Sequence, residues 1–155
     1  MKKLAIIIFG VFFLGEHSGG EVSVEERNSR FSPVSWLSIK MDDEWASPNA
    51  RVTGYLRFDG SGDLPRVSLW ENLDALREER LEYSLRIDTE SSMNIINKRF
   101  GQGADNWNAM QNLYVEIWGN LKCSEPFLRS RGLGDLTEIN LIEIRNNGLV
   151  LLVLD

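Results

Sequence analysis

Every second residue is apolar or glycine in residues 51–58 (RVTGYLRF), and the residues between them are polar, charged or aromatic. Alternation of this kind is typical of a β-strand that buries one face. A second run with the same pattern, LYVEIWGNL, covers residues 113–121. Each run has a glycine, Gly54 or Gly119, at a position that should face the core.

The same reasoning predicts further strands. They are RVSLWEN at 66–72, YSLRID at 83–88, DLTEINLIEI at 135–144 and LVLLVLD at 149–155. In the strand predicted at 83–88, Tyr83, Leu85 and Ile87 are expected to point inward. In the strand predicted at 135–144, the apolar residues change parity, which predicts a β-bulge.

Helical and irregular segments separate the predicted strands. In residues 89–100, apolar residues recur at spacings of three and four, which predicts a helix with Thr89 or Ser91 as its N-cap. Residues 73–82 fit a short helical turn. The segment WASPNA contains proline and asparagine and predicts a turn at 45–50, and residues 33–43 predict a short helix or a covering strand.

The predicted order is strand, strand, strand, helix, strand, strand. This is the connectivity of the OB-fold, a five-stranded Greek-key barrel with one helix between strands three and four. A small barrel bends its strands sharply, and glycine is suited to positions where a strand coils or another backbone comes close. Gly54 and Gly119 fit that requirement, although loosely packed strand positions are the simpler alternative.

Four short segments resemble a group of small uncharacterised bacterial OB-fold proteins. They are PVSWLSI at 33–39, RVTGYL at 51–56, LYVEIWGNL at 113–121 and GDLTEINLIEI at 134–144. The resemblance covers about residues 33–145 and implies the fold, but no activity. The chain departs from the group in the compact turn before the first strand and in its added apolar segment at 149–155.

The first twenty residues have the organisation of a secretory signal. Lys2 and Lys3 precede an apolar run from Leu4 to Leu14, which is too short to cross a bilayer. We expect cleavage after Gly20, a flexible lead-in at 21–32 and an OB-fold domain at 33–155. The sequence therefore predicts a secreted or periplasmic protein that does not span a membrane once the signal is removed. A buried N-terminal strand or helix is the alternative.

Charge and composition exclude several classes of function. The formal net charge is −6, and it becomes −7 when residues 1–20 are removed with two lysines and one glutamate. An acidic domain repels a phosphate backbone, so nucleic acid is an unlikely partner. Cys123 is the only cysteine, so no disulfide forms within the chain. His17 is the only histidine, and its place in the signal removes histidine-based catalysis and metal binding.

Six residues form the candidate ligand-binding site. They have the parity of the outer barrel face and combine aromatic rings with arginines: Tyr55, Arg57, Trp70, Arg86, Tyr114 and Trp118. The outer face of strands two and three is where OB-folds bind oligosaccharides or oligonucleotides, and rings with arginine are a common means of doing so. The alternative is that residues 33–45 or 149–154 fold over this face and bury it.

Other chemistry has weaker support. DGSGD at 59–63 spaces its oxygen ligands like a calcium loop, but it lacks the closing glutamate and is expected to be a turn. Asp88 and Glu90 could act as a hydrolase pair, yet carboxylates at a helix start are expected from the helix dipole. The sequence indicates no catalytic residue, metal or cofactor. It predicts a binding or interaction module for an unknown protein or glycan, with a carboxylate-dependent hydrolase or an accessory subunit as alternatives.

Overall fold

The computed structural model describes residues 30–41, 46–60, 65–101 and 107–155. Its strands are β1 (Ser32–Pro33), β2 (Ala46–Asp59), β3 (Arg66–Trp70), β4 (Ser84–Ile87), β5 (Tyr114–Cys123), β6 (Gly134–Asn146) and β7 (Leu149–Leu154). Its helices are α1 (Trp36–Met41), α2 (Leu73–Arg77) and α3 (Thr89–Phe100), and its 3₁₀ turns are η1 (Leu81–Tyr83) and η2 (Pro126–Arg131).

Five strands close into a barrel in the order β2-β3-β4-β6-β5, with β5 returning to pair with β2. β4 and β6 run parallel, with Arg86 opposite Asp135, and the other four pairings of the barrel are antiparallel. α3 lies between β4 and β5 in the chain. The fold is therefore mainly β, with an OB-fold-like closed barrel, and the predicted architecture is confirmed.

The barrel core consists of the inward residues of all five strands. Leu56, Leu69, Leu85, Ile117 and Ile142 have no exposed surface. Burying a side chain of this size stabilises the fold by roughly 1.5–3 kcal/mol. The alternating pattern of each strand is thus explained by a closed barrel whose interior is filled with side chains.

Close backbone approach explains the two glycines in the strands. A Cβ on Gly54 would lie 2.5 Å from the carbonyl oxygen of Trp70, and one on Gly119 would lie 2.6 Å from that of Thr137. Real side chains do not tolerate such contacts. The glycines are therefore required where a neighbouring strand passes close by, as the sequence predicts.

A bulge interrupts the pairing of β5 with β6, as the change of parity predicts. Trp118 pairs with Leu141 and Asn120 with Thr137, so Gly119 faces three residues of β6. Within this bulge Glu138 has a positive φ of 48°. The bulge allows Ile139 to reach the same core as Leu136 and Ile142, although its parity along β6 differs from theirs.

The helix α3 spans residues 89–100, which are the predicted bounds, but its N-cap is not a predicted one. The Asp88 carboxylate accepts hydrogen bonds from the Ser91 amide at 3.0 Å and the Ser91 hydroxyl at 2.6 Å. The prediction of Thr89 or Ser91 was therefore wrong by one to three residues. Asp88 is preferred because it precedes the helix and its side chain reaches the third residue after it.

Two local predictions were also wrong. The predicted turn at 45–50 is largely occupied by the start of β2, where Pro48 and Asn49 form a bulge opposite β5. Tyr83 does not point into the barrel, because it belongs to η1 and packs outside against Trp70 and its neighbours. The short helix predicted within 33–43 is present as α1, and the segment at 149–155 forms β7 on the outer side of β6.

Candidate functional site

Three of the six predicted site residues lie in one row across the outer face. Tyr55 of β2 is paired with Trp70 of β3 on one side and with Tyr114 of β5 on the other. The rings of Tyr55 and Tyr114 have their centroids 5.1 Å apart. The parity assigned from the sequence therefore places these rings side by side on the outside of the barrel.

Arg57 and Arg86 lie in the next row, on either side of Ser68. Arg57 donates hydrogen bonds to Asp59 at 2.7 Å and to Glu79 at 2.8 Å. The hydrogen bond to Glu79, together with the interaction with Asp59, raises the pKa of Arg57 above its ordinary value. Arg57 is thus held by carboxylates of its own chain.

Trp118 lies apart from the other five residues, four positions along β5 from Tyr114. Its indole nitrogen donates to Oε1 of Glu116 at 2.9 Å, and its ring lies 5.3 Å from that of Phe31. The guanidinium of Arg51 is 5.2 Å from the same ring, a cation–π distance. Phe31, Arg51 and Glu116 therefore surround this ring.

The rings of Trp70 and Trp118 are only 2% and 3% exposed. Ala75 and Leu76 of α2 pack over Trp70. The outer face is thus partly covered, as the alternative prediction has it. Among the described residues, the α2–η1 segment packs against Trp70 and Phe31 packs against Trp118, while residues 42–45 of the predicted cover lie outside the described ranges. Neither ring offers an open stacking platform.

A groove does lie on the outer face of β3 and β4. A cavity of about 590 Å³ is bordered by Ser68, Trp70 and Arg86, with Arg66 and Arg131 among its other lining residues. Trp70 donates its indole hydrogen to the Ser68 hydroxyl at 2.8 Å, so that its ring is fixed beside the groove. Of the predicted site residues, Trp70 and Arg86 border this cavity.

A second cavity of about 830 Å³ continues from the first. Arg66, Arg86 and Thr89 border both cavities, which therefore form one groove that passes over β4 to the start of α3. Arg86 lies at the centre of this groove, and its side chain is 66% exposed. Asp135 of β6 holds its guanidinium through two contacts of 2.7 and 2.8 Å.

The groove has a basic half and an acidic half. Three arginines (Arg66, Arg86 and Arg131) line the 590 Å³ cavity, against the single carboxylate of Asp59, which is already paired with Arg57. The 830 Å³ cavity has three carboxylates, from Asp88, Glu90 and Asp135, against the two arginines that it shares with the first cavity. The chain has a net charge of −6 and therefore repels anions at long range. The arginines of the basic half oppose that repulsion locally.

Sequence reasoning missed several groove residues. Arg66 and Ser68 share the parity of Trp70 in the segment RVSLW, so the alternating pattern could have found them. Arg131 belongs to η2, in the connection between β5 and β6. No local signal shows that this connection lies beside β3 and β4.

A buried cluster of charges was missed as well. Glu116 and Glu143 are directly opposite each other on β5 and β6, and they are 6% and 8% exposed. Arg145 bridges them, with its Nη2 atom 3.2 Å from Glu116 and 2.6 Å from Glu143. In the sequence, only the outward parity of Glu116, between Tyr114 and Trp118, indicates this cluster.

The structure also bears on the alternative chemistries. Asp88 caps α3, so its carboxylate has a structural role. Within the ranges that the structure describes, no three His, Cys, Asp or Glu side chains come close enough to hold a metal ion. Of the possible calcium loop at 59–63, Asp59 is paired with Arg57 and residues 61–63 lie outside the described ranges. No helix among the described residues is long and apolar enough to span a bilayer.

Comparisons with known proteins give no match. No family model matches the chain, and neither the curated proteins nor the solved structures include a significant match to it. The class of protein is therefore defined by its OB-fold-like barrel and by the groove on its outer face.

Proposed function

We propose that this protein is a binding module, and that the groove over β3 and β4 binds a polar ligand with acidic groups, such as an acidic oligosaccharide. The observation that supports this proposal is the convergence of Arg66, Arg86 and Arg131 on one cavity. Arginine binds carboxylate and sulfate groups through paired hydrogen bonds.

The size and position of the groove support a binding role. Its two cavities, of about 590 and 830 Å³, are within the range of about 300–1,000 Å³ that small-molecule sites have. It lies on the second and third strands of the barrel, the face that OB-folds commonly use for extended ligands. Asp135 orients Arg86 in advance, which reduces the entropy lost when a ligand binds.

The burial of the tryptophans disfavours a nucleic acid ligand. Single-stranded nucleic acids are bound largely by stacking on exposed rings and by neutralisation of successive phosphates. Trp70 and Trp118 are covered, and the acidic half of the groove repels a continuous line of phosphates. A sugar chain with scattered acidic groups and many hydroxyl groups suits the mixed charge of the groove better.

Calorimetric titration tests the proposal. The ligands are an oligogalacturonate, a sulfated oligosaccharide and a neutral oligosaccharide of equal length. We expect one of the two acidic ligands to bind, with an affinity that falls as salt rises, and the neutral ligand not to bind. Arg131→Ala and Arg86→Gln should each weaken binding about tenfold, since a charged hydrogen bond contributes about 1.5 kcal/mol.

Arg77→Ala is the matched control. Arg77 is an exposed arginine on α2 whose partner is Asp74, and it does not border the groove. Its replacement removes the same charge from the molecule but should leave the affinity unchanged. Equal weakening by all three replacements would mean that only net charge matters, and a failure of both acidic ligands to bind would contradict the proposal.

We also propose that the protein works outside the cytoplasm, as a relative of the small bacterial OB-fold proteins that its segments resemble. Lys2, Lys3 and the apolar run to Leu14 support this location. Mass spectrometry of the protein from the culture medium or the periplasm should find a chain that starts at Glu21. An intact N-terminus in the cytoplasmic fraction would contradict it.

A further inference from the structure

Two of the three arginines in the basic half of the groove are available to a ligand. Arg86 is already held by Asp135 through two contacts of 2.7 and 2.8 Å. Arg66 and Arg131 border the same 590 Å³ cavity, and neither forms an ion pair with any residue in the described ranges. The basic half therefore offers two positive charges that the described chain does not neutralise.

The backbone of the β5–β6 connection fixes Arg131 beside β4. Two residues further on, the amide of Leu133 donates to the carbonyl oxygen of Ser84 at 2.7 Å. Gly132, which lies between them, has a φ of +129°, a conformation that favours glycine. Arg131 therefore belongs to a backbone that is anchored to the barrel, and its position is set before a ligand binds.

The free charges change sign where the groove reaches the start of α3. Thr89 borders both cavities, and the next residue, Glu90, borders only the 830 Å³ cavity. Glu90 is exposed and has no ion pair within the described part of the chain. Among the described residues, the carboxylate of Asp88 is hydrogen-bonded to Ser91 and to no cation. A negative group of a ligand is therefore repelled from the part of the groove beside Glu90.

We propose that Glu90 makes the groove selective for an acidic sugar unit that is followed by a neutral one. The acidic unit binds to Arg66 and Arg131, and its neighbour lies over Thr89 beside Glu90. The inference rests on the proposed function and adds to it the spacing of acidic groups along the ligand. The preferred ligand is an oligosaccharide with alternating acidic and neutral units, and a polyuronate with an acid on every unit is disfavoured.

Two physical effects give the neutral neighbour its advantage. A carboxylate beside Glu90 adds repulsion between like charges, and for exposed groups such an interaction changes an affinity by about threefold. A hydroxyl or an acetamido N–H group donates to the Glu90 carboxylate and gains a hydrogen bond instead. Because the repulsion falls with distance, it disfavours an acid on the neighbouring unit more than one on the unit held by the arginines.

NMR titration of the isotope-labelled protein, expressed as the full chain, tests the proposal with two disaccharides. The hyaluronan disaccharide has one uronate and one neutral N-acetylated unit, whereas digalacturonate has two uronates. Both should shift the amides of β3 and η2, and the hyaluronan disaccharide should bind more tightly. Glu90→Gln should strengthen the binding of digalacturonate about threefold and leave that of the hyaluronan disaccharide nearly unchanged.

Asp74→Asn is the matched control. Asp74 lies in the first turn of α2, as Glu90 does in α3, and its side chain is 86% exposed. It borders neither cavity of the groove. Its replacement removes the same charge from the chain, and it should leave the ratio of the two affinities nearly unchanged.

The salt dependence separates repulsion from other causes. The gain from Glu90→Gln should shrink as the salt concentration rises, because salt screens exposed charges. A gain that persists at high salt would overturn the inference, since it would show that something other than charge discriminates between the disaccharides. An unchanged ratio of affinities in Glu90→Gln, or the same change of ratio in Asp74→Asn, would also overturn it.

The outcomes distinguish this inference from the proposed function. If both disaccharides bind and lose affinity in Arg131→Ala, but Glu90→Gln has no selective effect, the groove binds acidic sugars and only the inference is wrong. If neither disaccharide binds at millimolar concentration, the inference is wrong as well. The proposed function is also wrong if the longer acidic ligands of the calorimetric titration fail to bind.

Discussion

Gly54 and Gly119 show how single residues determine this barrel. Each lies where the backbone of the next strand leaves no space for a Cβ, at 2.5 Å from Trp70 and 2.6 Å from Thr137 respectively. Gly148 differs, since nothing lies within 4 Å of its Cβ position and its φ is +82°. The first two glycines are needed for space, and the third for backbone conformation.

Gly54→Ala should therefore be more destabilising than Gly148→Ala. We expect a loss of about 1–3 kcal/mol for the first, from overpacking against main-chain atoms. For the second we expect about 1 kcal/mol, from the left-handed conformation alone. Urea denaturation monitored by circular dichroism gives both values. A smaller loss for Gly54→Ala would show that the strands separate easily at this point.

The helix α3 and the β5–β6 pair show how elements are held by their polar groups. Asp88 satisfies an amide at the start of α3, and Arg145 holds two carboxylates that would otherwise face each other on neighbouring strands. Each interaction provides a partner for a group of low exposure, the amide of Ser91 in the first case and the carboxylate of Glu143 in the second. Their removal should thus cost more than the loss of an ordinary surface contact.

Asp88→Ala should destabilise the protein by about 1 kcal/mol, the usual effect of losing an N-cap. Asp88→Asn should retain most of the stability, because its side-chain oxygen still accepts from Ser91. Thermal denaturation of the two variants measures the difference. Equal losses would mean that the negative charge at the helix N-terminus, and not the hydrogen bond, is what stabilises α3.

Arg145→Met should cost about 3 kcal/mol, because it removes the arginine from Glu143 in a mostly buried place opposite Glu116, whose remaining arginine is Arg51 at 3.9 Å. The additional change Glu143→Gln should recover part of that loss by removing one of the charges. A double-mutant cycle from urea denaturation gives the coupling energy. Arg77→Met, on the exposed surface of α2, is the control and should change stability by less than about 0.5 kcal/mol. No recovery in the double variant would exclude repulsion between the two glutamates as the cause.

At the scale of the whole molecule, the barrel and the segments around it bury nearly all of the described tryptophan surface. Trp36, Trp70, Trp107 and Trp118 are 2–9% exposed. Two of them lie on the outer face of the barrel strands and are covered by α2 and by Phe31. The described part of the molecule thus behaves as a barrel with a partial second layer.

The Trp45→Phe variant of the chain should consequently have blue-shifted tryptophan emission. Iodide and caesium should both quench far less of it than in the chain unfolded in urea. The pair of ions is needed because an acidic protein repels iodide even from exposed rings. Strong quenching by both ions would contradict the burial of Trp70 and Trp118 and restore an open aromatic face.

Alternation of apolar and polar residues was sufficient to predict the barrel. The inward residues of β2 and β5, the bounds of α3 and the bulge in β6 all follow from periods of two and 3.6 residues, which are properties of the local chain. The order of these elements along the chain is the connectivity of the OB-fold, and it predicted the topology. The sequence by itself thus determined the fold class and the outward parity of Tyr55, Trp70, Tyr114 and Trp118, whereas the structure decided that Gly54 and Gly119 are needed for space.

The candidate site depended on contacts between distant parts of the chain. Burial of Trp70 depends on Ala75 and Leu76 of α2 and that of Trp118 involves Phe31, while Arg131 reaches the groove from the connection between β5 and β6. Parity tells which side of a strand a residue occupies, but it does not tell what packs on that side. Only the tertiary structure therefore decided that the outer face has covered rings and an arginine-lined groove, because each is produced by segments far apart in the sequence.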